Sequence, residues 1–502
     1  MKLGYLLEGM NDYDLTGPPE QEISGVAYDS RQVKPGYLFV ALRGTRVDGH
    51  DYVKNAISRG AAAVVAEEHR GSWEDSVVVR VSDTREALWK IGVRFYNRPF
   101  KGMDLVGITG TNGKTTTSFL LESILMAAGG QPGVVGTVNY RFAGKTFPAS
   151  VTTPESLDLL GLLRKMADAR VTHVVMEVSS HALDQKRTGD CPFRVGLFTN
   201  FSRDHLDYHR TMEEYFKAKT LLFKGLNGTG AHPDTTAVIN LDDPRGEELV
   251  AMTSARVVTY GLGQTCQVRA CDVVPDMGGI QARLLTPWGE RTIRSPLIGE
   301  VNIYNIMAAS AAALSLDIGL DEVVEGVERL RRVPGRLEMV ENNRKLHVVV
   351  DYAHTPDALL KTIEALKSLV KGRVITVFGC GGDRDKGKRS EMGRIAGRHS
   401  DLVFITSDNP RTEDPGAIIS QIEQGVGASG LTLLKDLQEP HMGTRGYIKE
   451  ADRRKAILGA VGAAREGDLV LIAGKGHEDY QIVGRDRKHF DDREEAALAA
   501  SA

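Results

Sequence analysis

Disulfide chemistry has almost no material here: four cysteines, Cys191, Cys266, Cys271 and Cys380, are scattered over 502 residues. Cys266 and Cys271 have no second cysteine or histidine pair nearby, so reduced thiols rather than a zinc site are expected. An excess of charge is also missing. The chain carries 63 Lys plus Arg against 66 Asp plus Glu, a net charge of -3, which offers no field for gripping a nucleic-acid backbone. No apolar run approaches the ~20 residues that cross a bilayer. The opening MKLGYLLEGMNDYDL places acidic residues where a secretory segment would have to stay apolar. Repeats and low-complexity tracts are absent apart from an Ala-rich C-terminus, which reads as a fraying end. These absences point to a soluble, cytoplasmic protein with no nucleic-acid partner and no membrane insertion.

What is present is ordinary globular material. Hydrophobic residues make up 41% and charged residues 26%, and the length implies roughly three domains. Short β-rich runs alternate with Ala-rich helical stretches. The runs are Tyr37–Leu42, Ala63–Ala66, Val77–Val81, Leu105–Thr109, His173–Met176, Val195–Thr199, Ala237–Ile239, Leu346–Val350, Val374–Phe378, Leu402–Thr406 and Leu469–Ala473. Many are continuously apolar, as strands buried on both faces of a parallel sheet must be. Pro/Gly breaks at Asn97–Gly102 and Arg331–Arg336 divide the chain into 1–100, 101–332 and 333–502. The fold expected is α/β in three domains: a small N-terminal domain, a central P-loop-type ATPase domain with a mostly parallel sheet, and a Rossmann-like C-terminal domain.

The strand Leu105–Thr109 runs into Gly110, Thr111, Asn112, Gly113, Lys114, Thr115 and Thr116, ahead of an apolar-periodic helix at Phe119–Met126. A strand, a glycine turn and Lys-Thr opening a helix form a phosphate-binding design. Glycines let backbone N–H groups approach oxygen, the helix N-terminus favours the anion, and Lys114 adds charge. Thr115 is placed to hold magnesium on the phosphates. The stretch departs from the general Walker pattern, because Ile108 stands where its first glycine belongs. Downstream, Glu177 ends the run His173–Met176, where α/β domains collect ligands. On a helix, Lys219 shares a face with Tyr215, Phe216, Leu222 and Phe223 while Lys217 points elsewhere. Such a lysine either snorkels or is desolvated toward its neutral amine, which reacts with carbon dioxide to give a carbamate. Asn302 and Asn305 can share one helix face, although Asn302 could equally be a helix cap. Asp351 could be no more than a turn former.

These motifs resemble the cell-wall Mur ligase family, whose relatives include folylpolyglutamate synthetase. The resemblance covers nearly the whole chain. It implies a magnesium held by Thr115 and Glu177, a second ligated by His205, and a carbamylated Lys219. Lys114, Glu177, His205 and Lys219 are then the catalytic set. It also implies adenine contacts from Asn302 and Asn305, a phosphate contact from Arg336 and a ribose contact from Asp351. Ser30, in the segment Tyr28–Gly44, would meet uridine. Thr152, Thr153, Ser179, Gln185 and Arg187 would hold the UDP-sugar peptide.

Asp408, Asn409, Pro410 and Arg411 resemble the family's diaminopimelate-selecting motif, supported by Arg384, Gly474 and Glu478. Meso-diaminopimelate is lysine with an extra carboxylate, and an arginine fork suits that group. The implied activity is ATP-dependent addition of meso-diaminopimelate to UDP-N-acetylmuramoyl-L-alanyl-D-glutamate through an acyl phosphate, by a monomer. An L-lysine-adding ligase, folylpolyglutamate synthetase and a nucleotide-binding regulator without catalysis remain the alternatives. The charged stretch Leu433–Ile457, around Gln438–Lys449, reads as irregular and has no clear counterpart in the family.

Overall fold

The computed structural model describes residues 1–44, 47–68, 73, 76–226, 234–434 and 445–501. Its centre is an eight-stranded sheet. Six parallel strands lie in the spatial order Arg256–Tyr260, Thr236–Asn240, Phe193–Phe198, Asp104–Thr109, His173–Glu177 and Pro132–Val135. Asn139–Phe142 and Lys145–Pro148 continue it antiparallel at one edge. Successive side chains leave a strand on opposite faces. Val106 and Ile108 therefore join one core with the helices Lys114–Ala127 and Val301–Leu314, while Leu105 joins another with Ser156–Asp168 and Met212–Lys224. Burial on both sides is why these strands read as continuous apolar runs.

Before it lies a five-stranded sheet ordered Tyr13–Thr16, Val77–Val81, Ala61–Ala66, Tyr37–Val40 and Gly25–Ala27, parallel except for its first strand. After it lies a seven-stranded sheet ordered Glu338–Val340, His347–Asp351, Leu469–Ala473, Val374–Phe378, Leu402–Ile405, Gly446–Lys449 and Thr432–Leu433, again parallel except for its first strand. Its strands also split between two cores: Val349, Val403 and Leu471 in one, Val348, Phe404 and Ile472 in the other. Neither Pro/Gly break carries a helix or strand. Among the described residues no helix is long and apolar enough to cross a membrane.

Two readings of the sequence need correction, and one stretch goes unread. The Ala-rich end does not fray: Asp492–Ser501 is a helix with Ala496, Ala499 and Ala500 buried, docked on the helix Arg453–Ala463. Small side chains let the two helices approach, and alanine carries the highest helix propensity. In the stretch read as irregular, Gly446–Lys449 is a parallel strand and Arg453–Ala463 a helix, while 435–444 lies outside the described residues. The alternating stretch Arg269–Ser295, unassigned in the sequence, forms a three-stranded antiparallel sheet covering the central domain's helical side.

Candidate active site

The loop after Asp104–Thr109 stands at the carboxyl ends of the parallel strands, where α/β sheets collect ligands. Its glycines are required by space and conformation. Gly110 has φ 144° and a Cβ there would stand 1.9 Å from Thr199 Oγ1; Gly113 has φ 86° and its Cβ would stand 2.4 Å from Asn305 Oδ1. Gly113 starts the helix Lys114–Ala127 with no side-chain cap, so first-turn N–H groups stay available to an anion. Lys114 folds back, its Nζ donating to Gly110 O at 2.7 Å and Thr111 O at 2.9 Å. Burial lowers its pKa, opposed by Glu177 and Asp204.

Glu177, at the end of His173–Glu177, is gripped on both oxygens. Thr115 Oγ1 donates to Oε2 at 2.9 Å, as does Thr137 Oγ1 at 2.9 Å, while Thr137 N donates to Oε1 at 3.0 Å. Thr137 follows the adjacent parallel strand Pro132–Val135; sequence reasoning passed over it, and its only signal was a polar residue just past a buried strand. Hydroxyl and carboxylate oxygens form a hard donor set that suits magnesium, which needs one or two carboxylates beside phosphate oxygens. Among the described residues there is no cluster of three or more His, Cys, Asp or Glu.

Lys219 lies on the helix Met212–Lys224 and is fully enclosed, with Lys217 exposed, as the helical spacing predicts. Snorkelling is ruled out: Nζ donates to Gly110 O at 2.8 Å and sits 4.5 Å from the Tyr215 ring centroid. Burial, with Lys114 nearby, drives its pKa well down. His205 adopts a left-handed φ of 53° beside Asp204, Nε2 to Oδ2 at 3.5 Å. Burial pulls its pKa down to about 4 although Asp204 opposes this.

Asn302 and Asn305 share one face of Val301–Leu314, joined at 2.8 Å through Asn305 Nδ2 and Asn302 Oδ1. Asn302 is not the cap; that position belongs to Glu300. From the turn before the strand Glu338–Val340, Arg336 donates from Nη2 to Thr115 Oγ1 at 3.3 Å, and its buried Nε has no hydrogen-bond partner. Asp351 accepts Leu337 N at 2.8 Å and Ala353 N at 2.9 Å, so it organises its turn as well as facing the site. Burial raises its pKa, with Arg336 opposing.

All of these groups meet in one cavity of about 940 Å³, lined also by Thr152, Thr153, Ser179, Arg187 and Arg384. Thr153 Oγ1 donates to Glu177 O at 2.8 Å, and Arg187 Nη1 to Thr153 O at 3.0 Å. Gln185 stands behind Arg187, accepting its Nη2 at 2.8 Å. Ser30 is buried in the first sheet's neighbourhood and is not among the lining residues.

Arg411 is likewise outside the cavity wall. Its group gathers at the carboxyl ends of three adjacent strands: 379–384 after Val374–Phe378, 407–411 after Leu402–Ile405, and 474–478 after Leu469–Ala473. Arg411 Nη1 donates to Gly382 O at 2.8 Å, and Asn409 Nδ2 to Glu478 Oε2 at 2.8 Å. The hairpin Tyr480–Val483 with Asp486–His489 grips the same loop: Ile482 N donates to Asn409 Oδ1 at 2.9 Å, Arg411 N to Ile482 O at 3.1 Å and Gly484 N to Arg411 O at 2.7 Å. Sequence reasoning missed this hairpin.

Residues 108–313 match the Mur ligase middle domain, 335–476 the Mur ligase glutamate ligase domain, and 22–96 the Mur ligase family catalytic domain. The UDP-N-acetylmuramoyl-L-alanyl-D-glutamate--2,6-diaminopimelate ligase of Geobacter metallireducens is 49% identical, covering 99% of this chain and 98% of that protein. Its namesake in Geobacillus kaustophilus is 44% identical over 99% of both chains. A solved structure of a ligase of the same name is 32% identical, with TM-score 0.69, over 100% of this chain and 98% of that one. MurF ligase from Thermotoga maritima in complex with ADP shares the fold, at TM-score 0.59 and 21% identity over 90% and 94% of the two chains. With three family domains matched in order and relatives aligned end to end, the chain belongs to the Mur ligase family.

Proposed function

We propose that this protein is the ATP-dependent ligase that joins meso-diaminopimelate to UDP-N-acetylmuramoyl-L-alanyl-D-glutamate in peptidoglycan precursor synthesis. The observation that carries the reading is convergence. The glycine loop, Glu177, Lys219, Arg336 and Asp351 share one cavity with Arg384, whose loop meets Arg411 at Gly382 O, and Asn409 of the Arg411 loop bonds Glu478. We divide the chain at 1–100, 101–332 and 333–502, supported by every sheet being built from strands of one stretch alone. The substrates place the work in the cytoplasm.

The γ-phosphoryl group of ATP passes to the D-glutamate carboxylate, because a carboxylate cannot expel oxide unaided. The diaminopimelate amine then attacks the acyl carbon, the C–O bond to phosphate breaks, and tripeptide, ADP and phosphate leave. Loop N–H groups and Lys114 hold the phosphates and offset charge as it moves. Thr115 and Glu177 would hold one magnesium ion, and His205 with carbamylated Lys219 a second. Bound there, magnesium supplies charge neutralisation on the phosphate oxygens. Asn302 and Asn305 face adenine, Asp351 the ribose and Arg336 the phosphates. Thr152, Thr153, Ser179, Gln185 and Arg187 receive the peptide end of the UDP-sugar, and Ser30 the uridine, after the first domain swings toward the cavity.

At the amino-acid end, Arg411 with Arg384 pairs with the far carboxylate of diaminopimelate, and Asp408 and Glu478 face the ammonium beside it. L-lysine would leave the arginine unpaired, the situation in which a polar site discriminates most strongly. Phosphate release should be measured with ATP, UDP-muramoyl dipeptide and a panel of amino acids. Turnover with meso-diaminopimelate far above L-lysine is expected. Equal rates would make this a lysine ligase, and no release with any amino acid would make it a nucleotide-binding regulator.

A further inference from the structure

Lys475 has no part in the scheme above, yet it is fully buried in the loop after Leu469–Ala473. An ammonium taken out of water needs partners, and this one has three. Nζ stands 3.3 Å from Glu478 Oε2, 3.4 Å from Asn409 Oδ1 and 3.9 Å from Asp408 Oδ1. Asn409 closes the triangle through its bond to Glu478. The charges do not cancel: two carboxylates, Asp408 and Glu478, less one ammonium, Lys475, leave one negative charge. Beneath them Arg453 donates to Ala473 O at 3.0 Å and Ser407 O at 3.4 Å, but it is neutralised by Asp492 at 2.6 Å. The pocket therefore lacks one cation beside an arginine, Arg411, that makes no ion pair among the described residues and has only the more distant Asp383 as an acidic neighbour. A zwitterionic α-amino acid head supplies that cation and an anion for Arg411.

We propose that Lys475 is a positioning residue of the amino-acid pocket: it holds Glu478 and Asn409 in the geometry that receives the far ammonium of the incoming diamino acid. This rests on the function proposed above. The groups facing Glu478 are Asp408, Lys475, Arg453, Tyr352 and Tyr480. Burial raises the Glu478 pKa and Asp408 raises it further, while Lys475 and Asn409 hold it down. Without Lys475, Glu478 would be protonated at higher pH and could no longer pair with an ammonium.

The test compares wild type, Lys475→Met, Glu478→Gln and the double variant, using meso-diaminopimelate and 2-aminopimelate, the same carbon chain without the far amine. Lys475→Met should raise KM for diaminopimelate on the order of 30-fold, the scale of breaking a buried charge pair. KM for ATP should stay put, the preference over 2-aminopimelate should vanish, and the acid limb of kcat/KM should move to higher pH. In the Glu478→Gln background the same substitution should add nothing. An unchanged KM, a retained preference, penalties that multiply, or equal losses toward every substrate would each overturn the inference. If Lys475→Met does not fold, the double variant, which no longer leaves the Glu478 carboxylate without its ammonium, decides: parity with Glu478→Gln supports the inference and a further loss overturns it. Wild type showing no preference for diaminopimelate over L-lysine would remove the reading of the pocket, and this inference with it. Preference in wild type with an indifferent Lys475→Met removes the inference alone.

Discussion

Replacing Thr137 by valine keeps the shape of the side chain and deletes one of three hydrogen bonds to the buried Glu177 carboxylate. The bonds from Thr115 Oγ1 and Thr137 N remain, so Glu177 stays in place but is held at Oε2 by one hydroxyl instead of two. A hydrogen bond to a charged group contributes about 1.5–3 kcal/mol. At ~1.4 kcal/mol per decade, that range corresponds to roughly 10- to 150-fold in whatever equilibrium Glu177 serves. The loss of an outer partner of a metal ligand falls in a similar range, about 10–100-fold. Magnesium titrations of phosphate release at saturating substrates should therefore show a half-saturation point raised at least ~10-fold, with KM for diaminopimelate unchanged. Thr137→Ser, which restores the hydroxyl, should recover most of the loss. An unaltered magnesium dependence in Thr137→Val would refute the assignment of Glu177 as a metal-holding group supported from Thr137.

Other consequences are open to measurement. Arg411→Ala should cut kcat/KM for diaminopimelate by at least ~100-fold while changing the low rate with L-lysine little, narrowing a discrimination that such contacts can carry to ~10⁴. Enclosure of the Lys219 amine, with Lys114 nearby, lowers its basicity, so ¹³C-bicarbonate should give a carbamate resonance in wild type that is absent in Lys219→Met; no such signal in wild type would contradict the modification. The buried pair Arg453–Asp492 predicts that Asp492→Leu alone lowers stability by about 3–5 kcal/mol, and that Arg453→Met/Asp492→Leu regains much of it in thermal unfolding. Closure over the reacting acyl phosphate predicts a smaller radius of gyration in solution scattering when an ATP analogue and the UDP-dipeptide are added.

Much of this was legible in the residues because single physical causes dominate them. Val374–Phe378 and Leu469–Ala473 read as strands since burial on both faces forces unbroken apolarity, and their observed bounds agree. Lys219 declared its burial because four apolar neighbours recur at helical spacing. The Gly110–Thr116 loop carries its chemistry in consecutive positions. Thr137 and Lys475 were opaque for the opposite reason: Glu177, which Thr137 holds, and Asn409, which joins Lys475 to its near neighbour Glu478, lie 40 and 66 residues away, brought near by parallel strands whose order no local pattern specifies. The sheet Arg269–Ser295 alternates polar and apolar residues, a weaker signal than the runs around it. The alanines of 492–501 look like a solvated tail until a partner helix appears. Ser30 depends on how the first sheet stands toward the cavity, which sequence pattern does not encode.

The chemistry at the centre is the passage of a phosphoryl group onto the glutamate carboxylate, and it leaves an isotopic trace. UDP-muramoyl dipeptide carrying ¹⁸O in the D-glutamate side-chain carboxylate should be turned over with ATP, diaminopimelate and magnesium, and the released phosphate examined by ³¹P NMR. Transfer of one labelled oxygen into each phosphate is the predicted result. Phosphate without label, formed alongside tripeptide, would contradict the mechanism.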